Sequence, residues 1–431
     1  MIRKIAFKTL GCRLNQFETN SLVSEFTGAG YQVVDFNDPA DIYVVNTCTV
    51  TGQSDKKSRN LISQAAKTNN NAMVIAAGCM ITNPRIEHPA NRNVTYYVEN
   101  TRKSSIFSLV EAHFEGEIMD PLSFEPDVFS YKPAKTTLLT RSLIKIQDGC
   151  DNYCTFCIVP FVRGRAISRP VPDILDNIRK VLEFGFKEIV VTGVNIGRYQ
   201  WEGTSFEDLV AKILDIPGDF RVRISSMEPE GFGDKFIELF SNPKLMPHLH
   251  LCVQSGSDQV LLRMRRIYNL QEYLNIIDKV RGKYADFNFT TDIIVGFPGE
   301  TDEDFQASCK VVRDAGFSHI HTFRYSRRKG TRADRMPGQV PYKIKNERSE
   351  IIRKISEENK RSYRSSLIGK TQTVLVEKVN GNSGLGYGEL YVPVEFTHPG
   401  MKNNMLQEVK LTGIHEGEDP VLIGTVKSDL K

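Results

Sequence analysis

Short apolar runs, each followed by a helix-like stretch, recur through most of this 431-residue chain. In the first third of the chain, three such runs close on a cysteine: KIAFKTLGC, ADIYVVNTC and NAMVIAAGC. The alternation predicts a parallel α/β sheet, in which the carboxyl ends of the strands open onto one edge where ligands bind. We therefore expect Cys12, Cys48 and Cys79, the N-terminal trio, to converge at that edge.

A thiol after any one of these strands, taken alone, is better explained as a small buried hydrophobic side chain. Three strands that end in the same way make coincidence a poor explanation. We therefore favour a metal site built from the three thiolates over three unrelated core cysteines.

Six further apolar runs occupy the middle of the chain, with helical patterns such as PDILDNIRKVLEFG between successive runs. The runs are SLIKIQDGC, EIVVTGVNIG, RVRISSMEP, HLHLCVQSG, FTTDIIVGFPGE and SHIHTFRYS. Six units fall short of the usual eight, so we predict a partial, TIM-like (β/α)6 barrel that is open on one side. The chemistry of such barrels lies at the carboxyl ends of their strands.

Two changes of pattern divide the chain. Residues 114–141 contain Pro121, Pro126 and Pro133 and no sustained period, which is typical of a linker. Beyond about Ser366, four short β runs separated by turns such as NGNSGLGYG predict a small antiparallel β-barrel. The expected domains are an N-terminal α/β domain over 1–135, the partial barrel over 136–365 and the small barrel over 366–431.

Composition narrows the cellular setting. With 40% hydrophobic and 25% charged residues, the chain is typical of a soluble globular protein. It contains no apolar run of about 18 residues, and MIRKIAFKTLGC lacks the features of a secretory signal. We therefore expect a cytoplasmic protein without membrane association, whose eight cysteines serve metal binding or catalysis rather than disulfides.

Positive charge is concentrated in one segment. The whole chain has a formal net charge of only +4, yet residues 324–370 contain 15 lysines and arginines and 5 acidic residues. The spacing of Ile344, Ile351, Ile352 and Ile355 indicates a helix within this segment. Charge alone leaves two alternatives open, a solvated helix face and a surface that contacts an RNA backbone.

The densest group of cysteines lies in QDGCDNYCTFCIVP, where Cys150, Cys154 and Cys157 form the barrel trio. Zinc cages favour paired Cys-x2-Cys modules with a fourth ligand nearby in sequence, and no second pair follows here. Four cysteines would close a four-iron cube for electron transfer, whereas three leave one iron open to a small molecule. Cys252 and Cys309 have no comparable spacing and are expected to be core thiols.

Two further groups of residues stay outside the predicted site. In HLHLCVQ, His248 and His250 alternate as strand residues do, so we expect them in the barrel interior or at its rim. Arg163, Arg165 and Arg169 suit phosphate or carboxylate binding, and pairing with acids at the barrel rim is an equal alternative.

The barrel trio, with the aromatic Phe156 between its last two cysteines, resembles the motif of the radical S-adenosylmethionine superfamily. Together with the N-terminal trio and the terminal β-barrel, the whole chain resembles the methylthiotransferases of that superfamily. The resemblance is carried by GCRLNQFET, NTCTVT, DGCDNYCTFCIVPFVRGRAISR, TGVNIG, SSMEP, LCVQSGS, TDIIVGFPGET and FRYSRRKGT. LGCRLNQFET is most similar to the branch acting on N6-threonylcarbamoyladenosine (t6A), 3′ to the tRNA anticodon. Branches that act on isopentenyladenosine or on an aspartate of a ribosomal protein are the alternatives.

The chemistry that this resemblance implies suits its target. The C–H bond at carbon 2 of adenine has no usable acidity, so no side chain removes that proton near neutral pH and a radical is required. The resemblance implies that the barrel trio is catalytic: its [4Fe-4S] cluster binds S-adenosylmethionine and cleaves it to a 5′-deoxyadenosyl radical. It also implies a second [4Fe-4S] cluster on the N-terminal trio, which holds the inserted sulfur, and a second S-adenosylmethionine per turnover, which methylates that sulfur.

Positions that contact S-adenosylmethionine follow from the same resemblance. They are Phe156, Ile294 and Gly296 against the adenine, Gly193 and Arg266 at the methionine end, and Glu228 and Gln254 at the ribose or amino-acid group. Asp292 stands where many superfamily members have glycine, which departs from the pattern of the adenine wall. For each position a purely structural role is an open alternative.

The terminal β-barrel resembles an RNA-binding domain called TRAM. With the basic helix, it is expected to bind a tRNA anticodon stem-loop carrying t6A, whose target base turns out of its stack. An electron donor such as flavodoxin or ferredoxin is also implied. The alternative from another class is a non-catalytic iron–sulfur protein that binds RNA.

Overall fold

The computed structural model describes residues 2–86, 93–135, 140–230, 232–415, 417 and 419–426. The first residue after the expected boundary at 135, and the expected end of the last domain at 431, lie outside the described residues. No helix among the described residues is both long and apolar enough to cross a membrane.

The N-terminal part folds around one parallel sheet with the strand order β2-β1-β3-β4-β5. The strands are β1 Lys4–Thr9, β2 Gln32–Val34, β3 Ile42–Thr47, β4 Met73–Gly78 and β5 Tyr96–Val98. The helices are α1 Arg13–Gly28, α2 Gly52–Thr68, α3 Cys79–Thr82 and α4 Ile106–Phe114. Strands β3 and β4 are buried along their whole length because separate apolar clusters cover the two faces of the sheet. The predicted parallel α/β domain is confirmed.

The middle of the chain forms the predicted partial barrel from two parallel sheets, β12-β9-β6 and β13-β14-β15-β16. Its strands are β6 Ser142–Lys145, β9 Glu188–Thr192, β12 Arg221–Ile224, β13 Ser226–Met227, β14 His248–Leu251, β15 Asn288–Val295 and β16 His319–Arg324. Two short antiparallel pairs form separate sheets: β7 Gln147–Asp148 with β8 Ile167–Ser168, and β10 Gln200–Trp201 with β11 Thr204–Ser205. Only Ser225 separates β12 from β13, so the two sheets continue into each other. All six predicted runs are strands of this barrel.

Amphipathic helices cover the outside of the barrel. They are α5 Val159–Arg163, α6 Val171–Glu183, α7 Phe206–Leu214, α8 Asp234–Leu239, α9 Asp258–Met264, α10 Leu270–Lys283, α11 Asp302–Asp314 and α12 Tyr342–Ser366. In α6, for example, Val171, Ile174, Ile178 and Val181 are buried at helical spacing against the barrel core. Polar side chains cap the N-termini of four of these helices: Ser205 at α7, Ser257 at α9, Asn269 at α10 and Thr301 at α11. The Thr301 cap forms a capping box.

The chain ends in a closed antiparallel-rich barrel with the strand order β17-β18-β19-β21-β20. The strands are β17 Thr371–Asn380, β18 Ser383–Tyr387, β19 Pro393–Thr397, β20 Leu406–His415 and β21 Val421–Val426. Strand β18 lies within NGNSGLGYG, which the sequence suggested was a turn, so that part of the prediction is wrong. Its glycines are required by packing: a Cβ on Gly386 would lie 2.0 Å from the Leu375 carbonyl oxygen.

The predicted linker packs against its neighbours. After α4 it contains a short 3₁₀ turn at Pro121–Ser123. Farther along, Tyr131 is buried with Phe17 of α1, Leu143 of β6 and Val190 of β9. The rings of Tyr131 and Phe17 meet edge-to-face with centroids 5.5 Å apart. This segment therefore contributes to the contact between the N-terminal sheet and the barrel.

Candidate functional site

The N-terminal trio stands at three strand-to-helix junctions on one edge of the first sheet. Cys12 precedes the first residue of α1, Cys48 follows β3, and Cys79 opens α3. The pKa of Cys48 is raised to about 11, first by burial and in smaller part by the charges of the nearby Cys79 and Cys12. Gly11 must lack a side chain because a Cβ there would meet the Cys48 sulfur at 2.8 Å. The predicted convergence of the three thiols is present.

The barrel trio occupies the loop after the first barrel strands. The Cys157 amide donates to the Cys154 carbonyl at 2.9 Å, and Thr155 anchors the loop by donating to the carbonyls of Met264 and Arg263. The pKa of Cys157 is raised to about 12, first by burial and in smaller part by the charges of Cys154 and Cys150. Such thiols become thiolates when a cation binds them.

Both trios fit a four-iron cluster better than a single metal ion. Three sulfurs around one zinc ion at about 2.3 Å would lie roughly 3.8 Å apart. Among the described residues, one group of three potential metal ligands has all its ligand atoms within 4.8 Å of one another: His250, Cys252 and Asp292. Neither trio of thiols is as compact as this group. Such a wider spread suits the edges of a four-iron cube, and cluster binding by each trio stays a prediction.

One buried contact joins the two trios. The Asn100 amide donates to the Cys79 sulfur at 3.4 Å and to the Val162 carbonyl at 2.7 Å. Cys79 also packs against Ile158, the residue that follows Cys157, and against the Val162 side chain. The two thiol groups therefore sit on either side of one packed interface.

A pocket of about 200 Å³ lies next to the barrel trio. Its lining includes Phe156, Gln254 and Ile294, three of the positions expected to contact S-adenosylmethionine, together with Cys157. Val50 and Thr51, from the loop after Cys48, complete the wall. The loops that carry both trios thus border this pocket.

The other expected contact positions lie elsewhere. The Arg266 guanidinium donates to Glu228 at 2.7 Å and to the Cys154 sulfur at 3.6 Å, so this pair of a buried arginine and a half-buried glutamate stands beside the barrel trio. A Cβ on Gly193 would meet Ile196 at 2.6 Å, and one on Gly296 would meet Lys345 at 2.3 Å. Close packing alone accounts for these two glycines, and their contact with a cofactor stays a prediction.

A larger cavity, of about 670 Å³, adjoins this pocket, and we call it the three-domain cavity. Its lining combines Cys12 and Arg13 from the N-terminal domain, the carboxyl ends of barrel strands, and Tyr391 from the terminal barrel. Asp292 and Phe323 line both spaces, so they meet at these two side chains. One thiol trio faces the cavity through Cys12 and the other faces the pocket through Cys157.

Histidines form much of the barrel side of the cavity. The Nδ1 atom of His250 shares a hydrogen bond with the Thr290 hydroxyl oxygen at 2.9 Å, and its Nε2 atom lies 3.1 Å from a carboxylate oxygen of Asp292. Burial lowers the pKa of His248 well below its ordinary value, and it lowers the pKa of His319 to about 4. His248 and His319 are therefore neutral at neutral pH, and His248 and His250 line the interior as their alternation predicts.

Unusual backbone geometry is concentrated at the site. Among the described residues, six that are not glycine have a positive φ, and four of these lie around the two spaces. They are Tyr153 inside the cysteine loop, Gln254 in the small pocket, Arg265 next to Arg266, and Tyr391 in the three-domain cavity. Such conformations are costly and cluster where a site imposes them.

Known families match two parts of the chain. Residues 144–312 match the model of the radical SAM superfamily, and residues 4–97 match that of uncharacterized protein family UPF0004. A threonylcarbamoyladenosine tRNA methylthiotransferase, MtaB, of Thermotoga maritima is 39% identical over 402 residues, which cover 92% of each chain. The MtaB of Bacillus subtilis is 34% identical over 91% of this chain and 90% of its own. The chain belongs to the MtaB-type radical SAM methylthiotransferases.

Other relatives place this methylthiotransferase in a wider group. A tRNA-2-methylthio-N(6)-dimethylallyladenosine synthase of Endomicrobium trichonymphae is 33% identical over 86% of this chain and 88% of its own. Among solved structures, the radical S-adenosylmethionine methyltransferase TsrM of Kitasatospora setae aligns with a TM-score of 0.54 at 14% identity, covering 78% of this chain and 77% of that one. This structural likeness supports the fold alone.

Of the three arginines after the cysteine loop, Arg163 serves the interface of the methylthiotransferase domains, whereas Arg165 pairs with Asp151 at the surface and Arg169 donates to Asn177. Arg163 donates to Asp148 at 2.8 Å and to Glu18 of α1 at 3.2 Å, and all three are buried. Lys103 and Lys145 also pair with Glu18. Burial opposes the charge of Glu18, but these cations hold its pKa well below the usual value. For Arg163, pairing with acids is the alternative that the structure supports.

Much of the basic segment is also paired. Arg348 of α12 pairs with Glu300 and Asp302, and Arg328 pairs with Asp55 of the N-terminal domain. Exposed cations without a partner among the described residues remain at Lys329, Arg332, Arg335, Lys343, Arg353 and Lys354. The segment thus combines an inward structural role with an outward positive surface.

A buried ion cluster centred on Glu188 of β9 fixes the terminal barrel, and sequence reasoning missed it. Glu188 pairs with Arg141 (3.2 Å), Arg221 (2.9 Å) and Arg223 (3.1 Å). Arg221 and Arg223 also donate to backbone carbonyls of the terminal barrel, including that of Thr373 at 2.7 Å. Partners this far apart in sequence leave no local pattern, and a glutamate that begins an apolar strand was the only signal.

Proposed function

We propose that this enzyme inserts sulfur and a methyl group at carbon 2 of t6A next to the anticodon of tRNA. The three-domain cavity carries this proposal, because Cys12, the carboxyl ends of the barrel strands and Tyr391 line one space of about 670 Å³. That volume suits a single modified nucleoside turned out of its stack. The names of the Thermotoga and Bacillus relatives supply the substrate.

The residues divide the work between the two spaces. When bound, two [4Fe-4S] clusters and S-adenosylmethionine, used twice per turnover, supply the radical, the sulfur and the methyl group. The barrel trio and the N-terminal trio would hold the clusters. Phe156, Gln254 and Ile294 would form the wall beside S-adenosylmethionine, and the Arg266–Glu228 pair would orient its amino-acid end. The packed walls keep water away from a reactive intermediate.

The partners follow from the surface. The terminal barrel and the exposed cations of the basic segment would contact phosphates of the anticodon stem-loop, which makes binding dependent on salt. The electron donor would be a small redox protein such as flavodoxin or ferredoxin. Because its relatives are named for action on tRNA, we place the enzyme in the cytoplasm.

Nucleoside mass spectrometry tests this function in cells that lack the gene. We expect 2-methylthio-t6A to disappear from tRNA, to return with the wild-type gene, and to stay absent with Cys150→Ala or Cys12→Ala. Each variant should retain about four of eight irons per chain, because one trio stays intact. Cys309→Ala, in the barrel core, is the matched control that restores the product.

Three outcomes would favour other functions. Loss of the 2-methylthio form of isopentenyladenosine, with t6A unaffected, would favour the reaction named for the Endomicrobium relative. A missing modification on a ribosomal-protein aspartate would favour the protein-modifying branch. Iron-loaded protein that binds tRNA but fails to cleave S-adenosylmethionine under reducing conditions would favour a non-catalytic RNA-binding protein.

A further inference from the structure

The charged side chains that line the three-domain cavity are few. They are the cations Arg13, Arg141, Lys360 and Arg364 and the carboxylates Asp292 and Asp419. Asp292 is paired with His250. The distribution of partners among the four cations therefore determines where the cavity holds uncompensated positive charge.

Three of the four cations are neutralised by carboxylates. Arg141 pairs with Glu188 at 3.2 Å and also with Glu377. Lys360 and Arg364 both reach Asp419, at 3.5 and 2.8 Å. These side chains are already committed to holding the terminal barrel against the rest of the protein.

Arg13 is different. Its polar contact in the described part of the chain is one hydrogen bond from Nη2 to the Tyr391 hydroxyl at 3.3 Å, and no described carboxylate pairs with it. The side chain is half-buried in the cavity wall. A guanidinium carries five N–H donors in a planar fork, so most of its donors are left for a ligand.

The surroundings of Arg13 do not compensate its charge. Its positive charge acts on His248 and His321 across the cavity, and both have a pKa below the ordinary value, first through the burial of His248 and the partial desolvation of His321. Neutral imidazoles and a tyrosine therefore face the guanidinium. A planar anion such as a carboxylate would complete this arrangement with two parallel hydrogen bonds.

We propose that Arg13 binds the carboxylate of the threonylcarbamoyl group of the substrate, an inference that rests on the proposed function. In adenine, carbon 2 and the exocyclic N6 lie on the same edge of the ring, on either side of N1. A base whose carbon 2 faces the group held by Cys12 therefore directs its N6 substituent to the neighbouring residues. Arg13 is the next residue along the chain and lines the same cavity.

This assignment makes Arg13 a determinant of specificity. A dimethylallyl group on N6 is apolar and would leave the guanidinium desolvated without a partner, which costs binding free energy. The threonylcarbamoyl group offers the matching charge. Selection between the two modified adenosines would then depend on this residue more than on the shape of the cavity.

Binding of synthetic anticodon stem-loops to the iron-loaded enzyme tests the inference. The loops carry t6A, the methyl ester of t6A, or unmodified adenosine at the target position. The wild-type enzyme should bind the acid about 10- to 100-fold more tightly than the ester, as expected for hydrogen bonds between charged groups. Arg13→Gln should reduce this ratio to near one, and Arg13→Lys should retain part of it. Arg59→Gln, on the exposed face of α2, is the control that keeps the full ratio.

The ratio of acid to ester is measured within one preparation, so it does not depend on cluster loading. An unchanged ratio in Arg13→Gln overturns the inference. Equal losses for acid and ester, which leave the ratio unchanged, overturn it as well and assign Arg13 a structural role. If the wild-type enzyme neither prefers t6A to adenosine nor methylthiolates it, the proposed function fails instead.

Discussion

Replacing Glu188 with glutamine is expected to destabilise the enzyme strongly. The substitution keeps the size of the side chain but removes the only carboxylate that Arg221 and Arg223 share within the described residues. Arg223 is fully buried, so its guanidinium would be left charged in an apolar setting. The terminal barrel should loosen at the same time, because these arginines also bind its backbone carbonyls.

The magnitude follows from the carboxyl group itself. Burial works against the charge of Glu188, yet Arg223, Arg221 and Arg141 lower its pKa from 4.5 to about 2. At about 1.4 kcal/mol for each unit, this difference corresponds to roughly 3 kcal/mol of stability. Breaking a buried ion pair from one side costs about 3–5 kcal/mol, which is the same range. The contribution is complete above pH 4.5 and is lost as the pH falls toward 2.

Urea unfolding of the iron-loaded protein measures this loss. The single tryptophan, Trp201, packs against the barrel core, so its fluorescence reports on the domain that contains Glu188. Glu183→Gln, at the exposed end of α6, is the matched control. Limited proteolysis should release the terminal barrel from Glu188→Gln sooner than from wild type. If Glu188→Gln unfolds at the same urea concentration as Glu183→Gln, the ion cluster does not stabilise the fold and the reasoning is refuted.

Two further predictions concern the terminal barrel and the histidine wall. Removal of residues from Gly369 onward should sharply weaken tRNA binding in a gel-shift assay while iron content stays constant, and unchanged binding would contradict the assigned role of the barrel. Because the pKa of His319 is lowered to about 4, the unfolded chain binds a proton first, so wild-type stability should decline as the pH falls from 6.5 toward 4. His319→Gln should show a smaller decline in urea midpoint between pH 7 and 5, and an equal decline would exclude this histidine as a cause.

Local patterns were enough to predict the positions of the cysteines. Each member of the N-terminal trio follows an apolar strand, and parallel strands bring such positions to one edge irrespective of the helices between them. The barrel and its open side followed from the number of strand–helix units in the same way. Period and connection therefore sufficed for the architecture and for the edge at which the N-terminal trio lies, whereas the barrel trio was identified by its spacing.

Packing between distant segments was beyond such patterns. Strand β18 was taken for a turn because glycine is rare in strands, whereas the narrow barrel requires glycine at position 386. Gly193 and Gly296 were assigned to a cofactor by resemblance, whereas the structure packs Gly193 against Ile196 and the distant Gln147, and Gly296 against the distant Lys345. The isolated charge of Arg13 emerges only when the partners of every other cation in the cavity are known.

Tyr391 has a further consequence for how such enzymes diversify. It stacks on Tyr387 with ring centroids 5.1 Å apart, and both side chains close the reaction chamber from the terminal barrel. If the terminal barrel binds the nucleic acid as proposed, the same module also lines the cavity proposed for the base. Replacing the terminal barrel with that of another enzyme would then change both the RNA-binding surface and part of the cavity lining. RNA affinity and the choice of nucleoside would therefore change together.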